Sequence, residues 1–166
     1  MRLVEAGIVQ LHDPVAMHVD SVLQALLNET MASLFKTYGA NVTVLHLLSM
    51  RSGIADFDVA SFDNKVLTSD TPQSPVDILA FAGTLPWACA PGNCTYYSST
   101  NYVLLGFLLL RYARVTTAER YDWTALDLTD ALGRNTTAGI TFATTGPLNQ
   151  SLTVAGTNQQ MLSVFE

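Results

Sequence analysis

Lysine is nearly absent from this chain of 166 residues: only Lys36 and Lys65 occur. Basic residues number 8 against 14 acidic ones, for a net charge of -6. They are scattered, with no basic run. Phosphate binding needs clustered Lys and Arg, so the balance excludes a nucleic-acid role and gives no hold on an anionic membrane surface. Long apolar runs are also missing. The longest, residues 102–110, is far short of the ~20 residues that a membrane span requires. The opening MRLVEAGIVQLHD has no basic segment followed by a long apolar one, so it does not read as a signal peptide. Only 13% of residues are charged while 49% are hydrophobic. That composition supports a sizeable core and excludes disorder.

Cysteine is scarce too. Cys89 and Cys94 form a C-x4-C pair. Zinc binding would need further ligands, and none lies nearby in sequence. Two readings remain, a pair of free thiols or a small loop disulfide. The second is preferred, because Pro91-Gly92 between them can turn the chain. His12, His18 and His46 are widely spaced and show no metal-ligand pattern. Asp56 and Asp58 flank Phe57 in a loop and read as a solvated acidic turn rather than a calcium site.

Asparagine is used unevenly. Asn28, Asn41, Asn93, Asn135 and Asn149 all stand in N-x-S/T sequons. These matter only in a secretory setting. With the cysteine pair, they lead to the expectation of an extracellular or lumenal protein whose targeting segment is not in this chain.

The local pattern is helical over most of the length. Residues 1–6 read as the last turns of a helix stopped at Gly7. No capping residue precedes them, and we expect the chain to have been cut upstream. Asp13-Pro14 opens a second helix with Val15, Val19, Val22, Leu23 and Leu26 on one face. Residues 28–41 read as a loop. Thr43 caps a short helix through Leu47 and Leu48, ended near Gly53. Residues 56–71 are polar and read as irregular. Ser74-Pro75 starts a helix closed by Gly83, and 89–97 is a turn-rich loop. Residues 100–112 give the strongest helix, with Leu104, Leu105, Leu108 and Leu109 in one band. Residues 117–132 read as helical; 140–143 and 152–155 read as short β-type runs about Gly146-Pro147.

Three blocks carry a family resemblance, in order. LVEAGIVQLHDPV, residues 3–15, resembles the segment after the nucleophile helix of the serine β-lactamase-related, penicillin-binding-protein-like family. VTVLHLLSMRSGIADFD, residues 42–58, resembles its R-H-L-L-S-H-T-S-G-I stretch, with Met50 where the family often has His. APGNCTYYSSTNYVLLG, residues 90–106, is similar to its P-G-x-x-F-x-Y-S-N-x-x-Y-x-L-L-G block, the Y-x-N form of class C-like members. The resemblance is clear over 1–112 and weak over 113–166. It implies an α+β fold of which this chain is a mostly helical piece, with the central sheet largely missing. We therefore expect exposed apolar helix faces.

The resemblance also implies acyl transfer with no cofactor, on a small-molecule, peptide or ester substrate. Tyr97 aligns with the family's catalytic tyrosine. A free phenol has a pKa of about 10, too high for a base at neutral pH. Beside a cationic lysine and a helix N-terminus it can exchange a proton with a serine or a leaving group. Ser99 stands where the family usually has the substrate-binding Asn of Y-x-N. Two readings stay open for it: N-cap of the following helix, or substrate contact. The family's nucleophile lies in S-x-x-K ahead of the first block, so we expect it upstream of Met1. The string Ser33-Leu34-Phe35-Lys36 has the right spacing but the wrong order, and reads as coincidence. No K-T-G or H-x-G third motif occurs. The expectation is a serine-hydrolase fragment that is inactive as it stands. The alternative is a non-catalytic secreted glycoprotein module of the same fold.

Overall fold

The computed structural model describes residues 1–68 and 73–113. Among these are seven α-helices and no β-strand. The segments 117–132, 140–143 and 152–155, with Asn135 and Asn149, lie outside the described residues.

The first helix, α1 (Arg2–Glu5), ends at Gly7, whose φ of 68° suits a residue without a side chain. The Ile8 and Val9 N–H groups then close back on the Leu3 carbonyl. Helix α2 (Val15–Leu27) follows Pro14 and buries Val15, His18, Val19 and Leu23. Val22 and Leu26, expected on that face, are only half-buried. The Asn28 backbone caps α2 at a φ of 55°, a left-handed conformation that Asn tolerates better than most residues.

Residues 28–41 are not a loop. They form α3 (Met31–Phe35) and a 3-10 turn (Lys36–Asn41). Thr30 and Ser33 make a reciprocal capping box, each side chain bonding the other's backbone N–H. Met31, Leu34 and Phe35 then face the core. Trp87 fixes this segment from outside. Its indole N–H donates to the Phe35 carbonyl at 2.9 Å, and its ring meets Phe35 and Tyr38 edge-on. The string Ser33–Lys36 is thus a cap and the end of a short helix. Both residues are exposed, and the Ser33 hydroxyl is engaged by Thr30.

Helix α4 (Val44–Leu48) starts where expected. Thr43 accepts from the His46 N–H, and His46 Nδ1 accepts from the Thr43 N–H, both at 3.2 Å. His46 is therefore a local structural group. Burial, with help from the charge of Arg51, lowers its pKa below the usual histidine value. Backbone bonds at 13–15 and 42–44, with a bridge between Pro14 and Thr43, tie the starts of α2 and α4 together.

Residues 56–68, the described part of the stretch read as irregular, depart from expectation in the same way. Within them lies α5 (Ala60–Leu67), anchored by one buried side chain, Phe62, whose ring packs on Phe57 and Phe81. The rest of α5 is polar or exposed, including Val66 and Leu67, so its hydrophobic pattern is faint. Met17 on α2 is a further apolar side chain at the surface. Helix α6 (Pro75–Ala82) has the Ser74 cap, Pro75 in its first turn, and Asp77 returning the capping bonds. The Ser74 hydroxyl and N–H hold the Asp77 carboxyl below the usual carboxylate range.

Helix α7 (Thr100–Ala113) is the centre of the packing, touching α2, α4 and α6. Leu104, Phe107, Leu108 and Leu110 are its buried apolar side chains, while Leu105 and Leu109 are half-buried. Burying one such side chain stabilises by about 1.5–3 kcal/mol, so this row anchors the helix whose start carries the site. One polar link crosses this core. His18, 2% exposed, joins the Asp13 carboxylate through Nε2 at 3.0 Å and the Tyr112 hydroxyl through Nδ1 at 2.7 Å. The Gln10 N–H and His18 together hold the Asp13 carboxyl below its ordinary range.

Candidate active site

Two loops, 50–58 and 88–100, meet at the start of α7. Glycine makes the first possible. Gly53 has a φ of 74°, and a Cβ there would collide with the Cys89 carbonyl. The loops then zip together through their backbones. Ala88 N–H donates to the Gly53 carbonyl at 2.9 Å, Gly92 N–H to Arg51 at 2.8 Å, and Tyr96 N–H to Met50 at 2.9 Å. The Arg51 guanidinium returns a bond to the Gly92 carbonyl. Cys89 and Cys94 are joined as a disulfide, with their Cα atoms 6.3 Å apart, which closes the second loop on itself.

Beneath this lies a buried polar cluster. Ser52, Ser98, Thr100 and Asn101 are all fully buried. Ser52 Oγ donates to Asn101 Oδ1 at 2.6 Å and accepts from the Ile54 N–H at 3.1 Å. Ser98 and Thr100 hydroxyls both donate to the Ala55 carbonyl, at 3.1 and 2.8 Å. Thr100 Oγ1 also accepts from the Phe57 N–H. Asp56 completes the set, with Oδ1 accepting from the Ser99 and Asp58 N–H groups. Every one of these polar groups is satisfied, which is what burial demands.

Tyr97 stands on top of this platform, three positions before α7, with 69% of its surface exposed. Its hydroxyl lies 3.5 Å from the Ser99 hydroxyl, longer than an ordinary O–H···O bond, so the phenol is held loosely and faces solvent. The Ser99 carbonyl accepts the first helical bonds from Tyr102 and Val103. Its hydroxyl turns toward Tyr97 rather than closing on the first turn of α7. The structure thus brings Tyr97 and Ser99 together at a helix N-terminus, where the aligned peptide dipoles favour negative charge. That end is suited to holding negative charge that develops on a bound group.

Ser52, Asp56 and Asn101 escaped the sequence reading as parts of the site. Ser52 and Asn101 are far apart in sequence, and neither alone is distinctive. Their signal is their place inside the two matching blocks, S-G-I and Y-S-S-T-N. Asp56 does turn the chain toward Asp58, but it is half-buried rather than solvated, and the same carboxylate oxygen braces Ser99. The sequons that fall in the described residues, Asn28, Asn41 and Asn93, all have exposed asparagines.

A family model described as Beta-lactamase matches residues 1–143. The chain belongs to the β-lactamase family, a family of serine hydrolases and their relatives. The described part is a helical piece of that fold. No curated protein and no solved structure gives a significant match.

Proposed function

We propose that these residues form the tyrosine side of an acyl-transfer cleft of the class C-like, Y-x-N type. In this reading Tyr97 passes a proton between the attacking serine and the leaving group during amide or ester hydrolysis through an acyl-serine. Ser99 contacts the substrate, a small molecule, peptide or ester, in place of the usual Asn. The observation that carries the reading is an exposed phenol at the mouth of α7 on a platform of fully buried, satisfied polar groups. A tyrosine serving only packing would bury its ring; this one leaves 69% in solvent.

The reading needs a serine nucleophile and a third motif that these 166 residues do not supply, so we expect them to be inactive on their own. Loss of the nucleophile alone costs on the order of a millionfold in a serine hydrolase. A fluorophosphonate or penicillin-like probe is expected to leave the chain unlabelled. A product extended upstream by an in-frame S-x-x-K is expected to label, and to lose the label when that serine becomes alanine. No label on the extended product would end the reading.

A second reading is favoured by different observations: Ser99 replaces the family's Asn, a disulfide is present, and the described sequon asparagines are exposed. Here the chain is a non-catalytic module of a secreted glycoprotein, acting by binding or scaffolding. It predicts no labelling of any extended product. In both readings we place the protein in the secretory pathway or outside the cell.

A further inference from the structure

The sequon Asn93-Cys94-Thr95 has a disulfide half-cystine as its middle residue. One tripeptide therefore serves two covalent reactions. We propose that Asn93 is a conditional N-glycosylation site, and that closure of Cys89–Cys94 removes it as an acceptor. The inference rests on the secretory reading above but makes a separate claim.

The closed loop is unsuited to transfer. An acceptor asparagine must be drawn into a transferase together with the hydroxyl two residues on. Here the Asn93 N–H is turned back onto the Ala90 carbonyl at 3.0 Å. Gly92 before it is bonded to Arg51 through both its N–H and its carbonyl. Cys94 after it is tied to Cys89. The asparagine side chain is exposed, but the backbone on either side is pinned. The Asn28 N–H is also turned back, onto the Gln24 carbonyl at 3.1 Å, so what sets Asn93 apart from Asn28 and Asn41 is the covalent tie within its sequon. Both are exposed, at the end of α2 and of the 3-10 turn, and neither has a half-cystine in its sequon.

The two reactions are each complete in atoms and electrons. In transfer, Asn93 Nδ2 attacks C1 of the reducing-end sugar of a lipid-linked oligosaccharide diphosphate. The N–C1 bond forms, the C1–O bond to the diphosphate breaks, and the amide proton leaves with the lipid diphosphate. In closure, the Cys89 and Cys94 thiols pass two electrons and two protons to a protein disulfide of the compartment, which becomes a dithiol. Their timescales overlap. Chains emerge at about 5–20 residues per second, and disulfides form over roughly seconds to hours. Order therefore decides the outcome.

The test is cell-free translation of the full chain, behind a cleavable secretion signal, with microsomes that carry lipid-linked oligosaccharide. Occupancy at each asparagine is read by peptide mass spectrometry. Cys89→Ser is the deciding variant, because it prevents closure and leaves the sequon intact. The expected result is low occupancy at Asn93 in the native chain. A severalfold rise is expected in Cys89→Ser, and in the native chain translated with dithiothreitol. The rise disappears on adding Thr95→Ala, and Asn28 and Asn41 stay occupied throughout. Equal Asn93 occupancy in the native chain and Cys89→Ser, with Asn28 and Asn41 occupied, would overturn the coupling alone. No occupancy at any of the three would overturn the secretory reading with it.

Discussion

Ser52 and Asn101 share a 2.6 Å hydrogen bond at a point where neither side chain touches solvent. The bond joins the 50–58 loop to the first turn of α7. Ser52 also receives the Ile54 N–H, and Asn101 Nδ2 donates to the Met50 sulfur at 3.2 Å. Removing the serine hydroxyl strands two groups together, Asn101 Oδ1 and the Ile54 N–H. A buried polar group left unsatisfied costs about 1–3 kcal/mol. Ser52→Ala is therefore expected to lower stability by at least that much, with chemical denaturation as the measure. A loss under about 0.5 kcal/mol, the size of an ordinary surface substitution, would show that the cluster is not dry.

The disulfide and Gly53 hold the other side of the same junction. Closing a loop restricts the unfolded chain, and removing a native disulfide costs typically 2–4 kcal/mol, with short loops at the low end. Cys89→Ser is expected to destabilise by about 2 kcal/mol on that basis. Amide exchange should quicken most at Ala88, Gly92 and Tyr96, whose N–H groups bond the facing loop. Uniform quickening across α2 and α7 would mean that the disulfide supports the whole core instead. Gly53→Ala acts at the same place by collision with the Cys89 carbonyl and by strain at positive φ. It should be the more damaging of the two.

His46 makes stability depend on pH in a definable window. Its pKa is lowered in the fold, chiefly by burial. The neutral ring accepts the Thr43 N–H, and a protonated Nδ1 cannot. The folded protein therefore binds a proton less readily than the unfolded chain. Stability is complete above the unfolded value of 6.5 and declines as pH falls through the lowered one. The depressed carboxyls of Asp13 and Asp77 act in a lower window, below their ordinary value of 3.8. His46→Gln keeps an acceptor for the capping box without the titration. Thermal melts at pH 7.5 and 5.5 should show the variant losing less than the native chain. Equal losses would remove His46 as the cause.

Local signals in the sequence were read well where a capping residue and an apolar face coincide. Thr43 and Ser74 start helices as expected, Gly7 ends one, and the apolar row around Leu104 and Leu108 marks the central helix. Short elements held by distant partners were not legible. Thr30 and Ser33 look like a sequon hydroxyl and a stray nucleophile until Met31, Leu34 and Phe35 are seen to be buried beside Trp87. Helix α5 has one anchor, Phe62, and its partners Phe57 and Phe81 lie in other segments. The site divides the same way. Tyr97 before a helix can be read from its block. The Asp56 brace and the Ser52–Asn101 bond depend on a fold that joins positions some 43 and 49 residues apart.

Tyr97 offers the sharpest separation of structure from function. Its side chain is 69% exposed, and its one contact to Ser99 is 3.5 Å long. Among the described residues nothing else leans on the hydroxyl. Tyr97→Phe should change stability by no more than about 0.5 kcal/mol, as surface substitutions do. In an extended product that carries the serine motif, the same change should cut acylation about 10²–10⁴-fold, the usual contribution of a positioned acid or base. The loss should fall on the acylation rate, with probe binding little altered. A variant that acylates at the native rate would leave the phenol without a chemical role and favour the binding module. A variant that unfolds would show the hydroxyl to be structural, against what its long contact to Ser99 implies.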